Sequence, residues 1–292
     1  MITPKIQVLL NKLDIGQSHS ALATEILAAD TSLAISHRTL RRNIAQERGV
    51  AEKLPKKIDF SDLPIPYKKG KKENVLVIGD PHEPFTREGY MLFCREMQEK
   101  YECGTVVNIG DQVDNHYSSF HDADPDGMGA GDELDEAIIA TQKWHYLFPN
   151  ANCCIGNHDD IIRRQLYANG ISARWMKSMN DVLGTPTWKW AMDHELYGVR
   201  YVHGTGTTGA QAAYTRAMKA GQSVVMGHVH TEASIRWHVT KTSRVFGLMT
   251  GCGVDDRVYA MAYAKNFPAK YIVSCAVVLE RGTIPIVLPM VL

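Results

Sequence analysis

The chain opens with three short stretches in which apolar residues recur at helical spacing: Pro4 to Leu13, Ser20 to Ala29 and Ser36 to Arg48. Ser20 and Ser36 stand where N-caps belong. Across residues 53–73 this pattern disappears. Pro55, Pro64, Pro66 and the run Lys68-Lys69-Gly70-Lys71-Lys72 show neither helical nor alternating periodicity, which predicts a basic Pro/Lys-rich linker. Beyond it, short apolar runs at Asn74 to Ile78, Thr105 to Ile109 and Asn152 to Ile155 predict strands. Helical patterns at Arg87 to Tyr101 and Asp132 to Phe148 fall between them, so the order predicts parallel pairing through crossovers. After Gly184 strands dominate: Trp188 to Met192, Val199 to Val202, Val224 to Met226, Ile235 to Val239, and a final pair, Tyr271 to Leu279 and Ile284 to Leu292, around the turn at Arg281-Gly282. A helix at Gly209 to Ala220 interrupts them. The expected architecture is an α/β domain over 74–292, with two packed mixed β-sheets flanked by helices, preceded by a small all-α domain over 1–52.

Composition adds limits. With 45% hydrophobic and 22% charged residues, the chain is that of a soluble globular protein able to bury a core. Its formal net charge is zero, but residues 1–72 hold an excess of about six positive charges and the remainder an equal negative excess. The six cysteines form no C-x-x-C pair, which argues against a zinc finger or a disulfide scaffold and for a reducing cytoplasm. Adjacent Cys153 and Cys154 read as buried thiols. No secretory h-region and no apolar run of about 18 residues is present, so neither export nor a membrane partner is expected.

The third N-terminal segment places Arg38, Arg41 and Arg42 on a polar face beside Leu40 and Ile44. With the segment before it, it resembles a helix-turn-helix recognition helix, which implies nucleic-acid contact through the three arginines. A small helical bundle used for homo-oligomerisation is the alternative reading. The five tryptophans, Trp144, Trp175, Trp188, Trp190 and Trp237, read mainly as core, except Trp175, which Arg174 and Lys177 mark as surface-borne. The acidic stretch Asp122 to Glu133 formally fits an EF-hand loop. With Gly129 at the apolar-anchor position and no convincing helix before it, an active-site rim or a solvated loop reads better.

Candidate chemistry lies where strand-like runs end: Asp80-Pro-His82, Gly110-Asp111-Gln-Val-Asp114-Asn115, Gly156-Asn157-His158-Asp159, Val202-His203-Gly204 and Gly227-His228-Val-His230. Ends of adjacent parallel strands converge on one crevice. Carboxylate, amide and imidazole donors together suit transition ions better than Ca²⁺ or Mg²⁺. The five motifs, in this order, resemble the calcineurin-like metallophosphoesterase superfamily, in the small form met in bacteriophage genomes, which would place the protein in a host cell's cytoplasm.

That resemblance implies that Asp80, His82 and His230 hold one metal, Asn157, His203 and His228 a second, and Asp111 both. The implied cofactors are two divalent ions, Mn²⁺ first, with Fe, Zn²⁺ or Ni²⁺ as alternatives. The implied reaction is phosphate-ester hydrolysis by a metal-bridging hydroxide. His158 is the implied acid or phosphate ligand, with Asp159 orienting its ring, and Asp114 is an outer support; Asn115 is a departure from the family pattern, and His116, which follows, reads either as a group that reaches a phosphate or as a surface or capping residue. Ser/Thr protein phosphatases of the superfamily carry Arg at the position of Asn115 and Glu at that of Asp159. Loss of that guanidinium disfavours a protein phosphatase, and the paired His228 and His230 look like the phosphodiesterase and nuclease branches. The expected substrate is a phosphodiester, foremost in nucleic acid. The alternatives are nucleotides, other small molecules or phosphoproteins, and, from another class, a DNA-binding regulator with an inactive phosphoesterase domain.

Overall fold

The computed structural model describes residues 23, 24, 26–28, 40, 58–119, 127–255, 257 and 270–291. The chain divides into two compact units, Met1–Asp59 and Phe60–Leu292. In the first, the described residues Ala23, Thr24 and Ile26 to Ala28 are helical, and Ala23, Ile26 and Leu40 are buried. Arg38, Arg41 and Arg42, and the acidic residues Asp122 to Asp126, lie outside the described residues.

The second unit is a mixed α/β body built on two sheets. The first has the order β11-β10-β1-β2-β3-β4, from β1 (Lys71–Ile78), β2 (Cys103–Asn108), β3 (Asn152–Cys154), β4 (Lys189–Ala191), β10 (Ser274–Leu279) and β11 (Ile284–Pro289). Strands β1 to β4 run parallel, and β10 and β11 add an antiparallel edge. The second sheet has the order β5-β6-β7-β9-β8, from β5 (Asp193–Leu196), β6 (Val199–Val202), β7 (Ser223–Met226), β8 (Ala233–Val239) and β9 (Arg244–Thr250). Here β6, β7 and β9 are parallel, with antiparallel β5 and β8 outside.

Side-chain alternation assigns each face. Leu76 and Ile78 of β1 point to a layer formed by α1 (Tyr90–Lys100) and α2 (Ala130–Leu147), where they meet Tyr90, Cys94, Trp144 and Leu147. Val75 and Val77 point the other way, to the seam between the sheets, against Val199, Tyr201, Val225, Phe246 and Leu248. Helix α5 (Ala212–Ala220) closes the far face of the second sheet through Ala213, Ala217, Val224 and Met249. The layers are therefore helices, sheet, sheet, helix, as the sequence pattern predicts.

Several elements differ from expectation. The stretch read as a linker is folded from Phe60 on: Phe60 stacks on Tyr146, Leu63 packs on the helical core, and Arg95 donates to Ile65 O at 2.9 Å while lying over the Tyr67 ring. Strand β1 begins inside the lysine run, because Lys71 pairs with Cys103. Strands β5 and β9 were absent from the sequence pattern, as were α3 (Ile161–Ala168) and α4 (Met179–Leu183). In β9 the misleading residue is Gly247, which reads as a breaker in an otherwise apolar run. A Cβ there would lie 2.2 Å from the backbone N of Tyr214 in α5, so the glycine is what lets helix and strand touch. Gly247→Ala is expected to cost about 1–3 kcal/mol or more. Urea denaturation showing unchanged stability would contradict the close packing.

All six cysteines are free and buried. Trp144 and Trp188 are buried and Trp190 partly so, but Trp237, read as core, is 42% exposed on edge strand β8. Among the described residues no helix is long and apolar enough to cross a membrane.

Candidate metal centre

Each of the five motifs leaves the C-terminal end of a parallel strand. Asp80 and His82 follow β1, Asp111 and Asp114 follow β2, Asn157 and His158 follow β3, His203 follows β6, and His228 and His230 follow β7. The first two loops lie side by side, with His82 N donating to Asp111 O (2.8 Å), Glu83 N to Gln112 O (2.9 Å) and Asp114 N to Glu83 O (3.0 Å). Three of the expected ligands, His82, Asp111 and His228, have positive φ angles of 55°, 48° and 69°. This left-handed backbone costs energy outside glycine, and its clustering here is typical of functional sites.

Three groups of donors form among the described residues: one is His82, Asp114 and His158, and Asp111 belongs to both of the others. Of these two, the first is Asp80, His82, Asp111 and His230; the second is Asp111, His203 and His228. His230 Nε2 lies 3.2 Å from Asp80 Oδ2 and 3.2 Å from His82 Nε2. His203 Nε2 lies 3.1 Å from Asp111 Oδ2 and 3.0 Å from Asn157 Oδ1. Thus all seven residues expected to hold metal are brought together in one cluster.

The residues present fit divalent cations. Asp80 Oδ1 is buried without a hydrogen-bond partner, although a carboxylate oxygen in such a place ordinarily has one. Asp114 Oδ1 lies 2.6 Å from His82 Nδ1, which keeps the proton on that nitrogen and turns the Nε2 lone pair toward His230 Nε2. Two imidazole nitrogens facing one another beside two carboxylates form a donor set made for a cation.

The electrostatics are those of a charged cluster inside the protein. Burial, the largest single effect, would raise the Asp80 and Asp111 carboxyls, but the surrounding imidazoles together outweigh it, His203 first, with His230 at Asp80 and His158 and His82 at Asp111, and hold Asp80 below, and Asp111 well below, the usual carboxylate range. Burial lowers His203, yet the Asp111 and Asp80 charges prevail and lift it to about 9. His82 and His228 stay below the ordinary imidazole value, through burial and through the charges of His158 and His203 respectively. His158 ends above it, because Asp111 and Asp114 overcome the effect of burial.

The partner assigned to His158 needs correction. Its Nδ1 donates to the Asp114 carbonyl at 2.6 Å and lies 3.5 Å from Asp114 Oδ1. The Asp159 carboxylate instead accepts from three backbone N–H groups, Gln112 (3.0 Å), Val113 (3.3 Å) and Gly156 (2.9 Å). Asp159 therefore clamps the β2 and β3 loops together and does not orient the ring. Burial and the Asp111 charge raise it to about 7. Asn115 is likewise a tie: its side-chain amide donates to His158 O at 3.0 Å. His116 lies in the 3₁₀ turn His116–Ser118, outside all three donor groups, with its backbone N–H donated to Glu133 Oε1 at 2.6 Å.

Two supports escaped sequence reasoning. Glu133 accepts from His116 N and Tyr117 N (3.0 Å) and so anchors that turn to α2, a role hidden behind the plainer one of an acid in a helix's first turn. Glu83, beside His82, is buried and accepts from Trp144 Nε1 at 2.6 Å, and burial pushes it up to about 7. Its only signal in the sequence is an acidic residue between two motif-flanking prolines.

This arrangement, carboxylates and imidazoles at the strand ends of a two-sheet sandwich, is that of a metallohydrolase. Residues 73–244, more than half of the chain, match the family model described as calcineurin-like phosphoesterase. The chain belongs to that family and is a metal-dependent phosphoesterase. Similar solved structures include an archaeal phosphodiesterase, at 14% identity and TM-score 0.39, covering 74% of this chain and 99% of that one. Others are Vps29 of Cryptosporidium parvum (13%, TM-score 0.38, 74% and 96% covered) and nuclease MPE of Pseudomonas putida (10%, TM-score 0.30, 75% and 88% covered). No curated protein matches the chain.

Proposed function

We propose that the protein is a dinuclear-metal phosphodiesterase directed at nucleic acid. The observation that supports the dinuclear reading is that, of the three donor groups, Asp111 stands in the two that hold the expected ligands, with Asp80, His82 and His230 in one and His203 and His228 in the other. On this reading Asp80, His82 and His230 hold one ion, Asn157, His203 and His228 the other, and Asp111 both, with Mn²⁺ the first candidate. Bound there, the two cations would supply charge neutralisation at the phosphate and acidify water to a nucleophile at neutral pH.

The chain's own residues do the rest. Asp114 holds His82 and His158 at once, so the loop after β2 sets both rings. Because a carbonyl only accepts, the His158 Nδ1 bond to Asp114 O keeps a proton on Nδ1, so Nε2 gives a proton to the leaving oxygen from the imidazolium form, which the Asp111 and Asp114 charges favour, and is left as a neutral lone pair. Asn115 is bound to the His158 carbonyl where the superfamily's protein phosphatases present an arginine, which supports a diester over a phosphoprotein. The basic N-terminal residues support a polyanionic substrate, and the cysteines, all reduced, a cytoplasmic setting.

The test is hydrolysis by Mn²⁺-loaded protein of bis-nitrophenyl phosphate, nitrophenyl phosphate, DNA and RNA, with metal analysis of the same preparation. Two ions per chain and preference for the diesters are expected. His158→Ala should lose roughly 100-fold or more on nucleic acid, whose leaving alkoxide needs a proton, and far less on nitrophenyl esters. Intact DNA and RNA beside cleaved bis-nitrophenyl phosphate would remove the nucleic-acid part; a single ion per chain would remove the dinuclear part.

A further inference from the structure

Helix α3 starts at the metal crevice: Asp160 N donates to Gly156 O (3.1 Å) and Ile161 N to His158 O (3.3 Å). The helix is about 12 Å long. After it the chain doubles back, with Ile171 N donating to Leu166 O at 2.8 Å, and the turn Ala173–Trp175 packs against α3. Trp175 is left 84% exposed. Tyr167 on α3 is exposed too, with the Arg163 guanidinium, bound to Asp160, over its ring at 5.1 Å. Gln165 of α3 donates to Ser118 O (3.1 Å), which ties α3 to the 3₁₀ turn that carries the exposed Tyr117.

Charge separates this surface from the rest of the unit. Between Asp160, which pairs with Arg163, and Asp181 there is no carboxylate, and Arg174 and Lys177 flank Trp175 as exposed cations. The chain after residue 72 carries an excess of about six negative charges. A basic stretch bearing open aromatic faces, inside an acidic domain and beside a phosphate-hydrolysing centre, is complementary to a flexible polyanion with flat bases. A duplex hides its base faces, so a single strand fits better. Bases stack on indole and phenol rings whatever their sequence, and lysine and arginine follow the phosphates.

We infer that Trp175, with Tyr167, Arg174 and Lys177, forms a stacking platform that feeds single-stranded nucleic acid into the metal centre. The inference rests on the nucleic-acid reading proposed above. The indole takes a base, the exposed Arg174 and Lys177 take flanking phosphates, and α3 spans the short gap to His158. Binding of this kind tolerates any sequence and weakens steeply with salt.

The experiment uses full-length, Mn²⁺-loaded protein as wild type, Trp175→Ala, Trp175→Phe and Arg174→Ser/Lys177→Ser. Three quantities are read: hydrolysis of bis-nitrophenyl phosphate, KM for cleavage of oligothymidylate and oligouridylate, and tryptophan fluorescence on titration with a phosphorothioate oligothymidylate. Trp175→Ala should raise the oligonucleotide KM roughly 5- to 100-fold and leave bis-nitrophenyl phosphate turnover unchanged. Trp175→Phe should keep the KM, because phenyl still stacks, yet lose the fluorescence quench, which a binding site on the N-terminal unit cannot imitate. The double variant should raise KM and flatten its salt dependence. An unchanged KM in Trp175→Ala, while wild type cleaves the oligonucleotides, overturns the platform and leaves the nucleic-acid reading standing. Wild type that turns over bis-nitrophenyl phosphate but neither binds nor cleaves oligonucleotides overturns both. Self-association lost in Trp175→Ala with unchanged KM assigns this face to a second copy of the chain and also overturns the platform.

Discussion

Asp111→Asn is expected to lower diester hydrolysis by more than about 100-fold and to strip bound metal from the protein. Loss of an outer partner of a metal ligand already costs about 10- to 100-fold. Asp111 stands closer than that, since its carboxylate belongs to both of the donor groups that hold the expected ligands. The substitution is clean because the residue sits at φ 48°, a left-handed backbone that asparagine tolerates better than almost any other side chain. Asparagine also keeps an oxygen to accept from His158 N, which now donates to Asp111 Oδ1 at 2.8 Å. What it removes is the negative charge beside His203 and His82, whose Nε2 atoms lie 3.1 and 3.5 Å from Oδ2. The measurements are metal content per chain, initial rate on bis-nitrophenyl phosphate, and circular dichroism to confirm the fold. A folded variant that retains two ions and wild-type turnover would remove Asp111 from the shared position.

How far the sequence alone reaches can be judged at this same site. The seven expected ligands are contributed by five loops, and each loop follows a strand whose apolar run is short and clean, so both the strands and their ends were legible. The unbroken apolar run of β1 did not say which residues share a face; the structure sets Val75 and Val77 opposite Leu76 and Ile78. The roles around His158 were not legible, because they depend on backbone groups far away in the chain. Asp159 adjoins His158, which suggests a pair, yet its Oδ1 is taken by Gln112 and Val113, 47 and 46 residues earlier, and its Oδ2 by Gly156. Adjacent side chains in a tight turn diverge, and local order cannot say which distant N–H waits for each. Glu133, Glu83 and β9 were missed for related reasons: a helix-start acid, an isolated charge and a glycine each have an ordinary local explanation that stops the reasoning before tertiary contact is considered.

Gly156→Ala offers the second large effect, and it tests the close fit of the loops independently of any ligand. Gly156 does not need a glycine backbone, since its φ is not among the positive ones. Its requirement is space. An added Cβ would lie 2.0 Å from Asp111 Oδ1 and 2.4 Å from Asp111 N, where ordinary contact is 3.4–4 Å. The carboxylate cannot simply rotate aside, because Asp111 Oδ1 accepts from His158 N and Oδ2 faces two imidazoles. Nor can the backbone yield easily, with Asp159 bound to both loops at once. The β2 and β3 loops must therefore separate by about 1 Å, a misplacement that costs on the order of 100-fold in turnover. Overpacking of this kind adds a stability loss of about 1–3 kcal/mol. Gly131→Ala is the control: it lies in α2 with nothing within 4 Å of the added carbon, so it should leave activity intact and gain about 0.5–1 kcal/mol from helix propensity. Activity and urea midpoints of the two variants decide the matter, and wild-type turnover by Gly156→Ala would mean that the two loops do not meet as closely as their hydrogen bonds require.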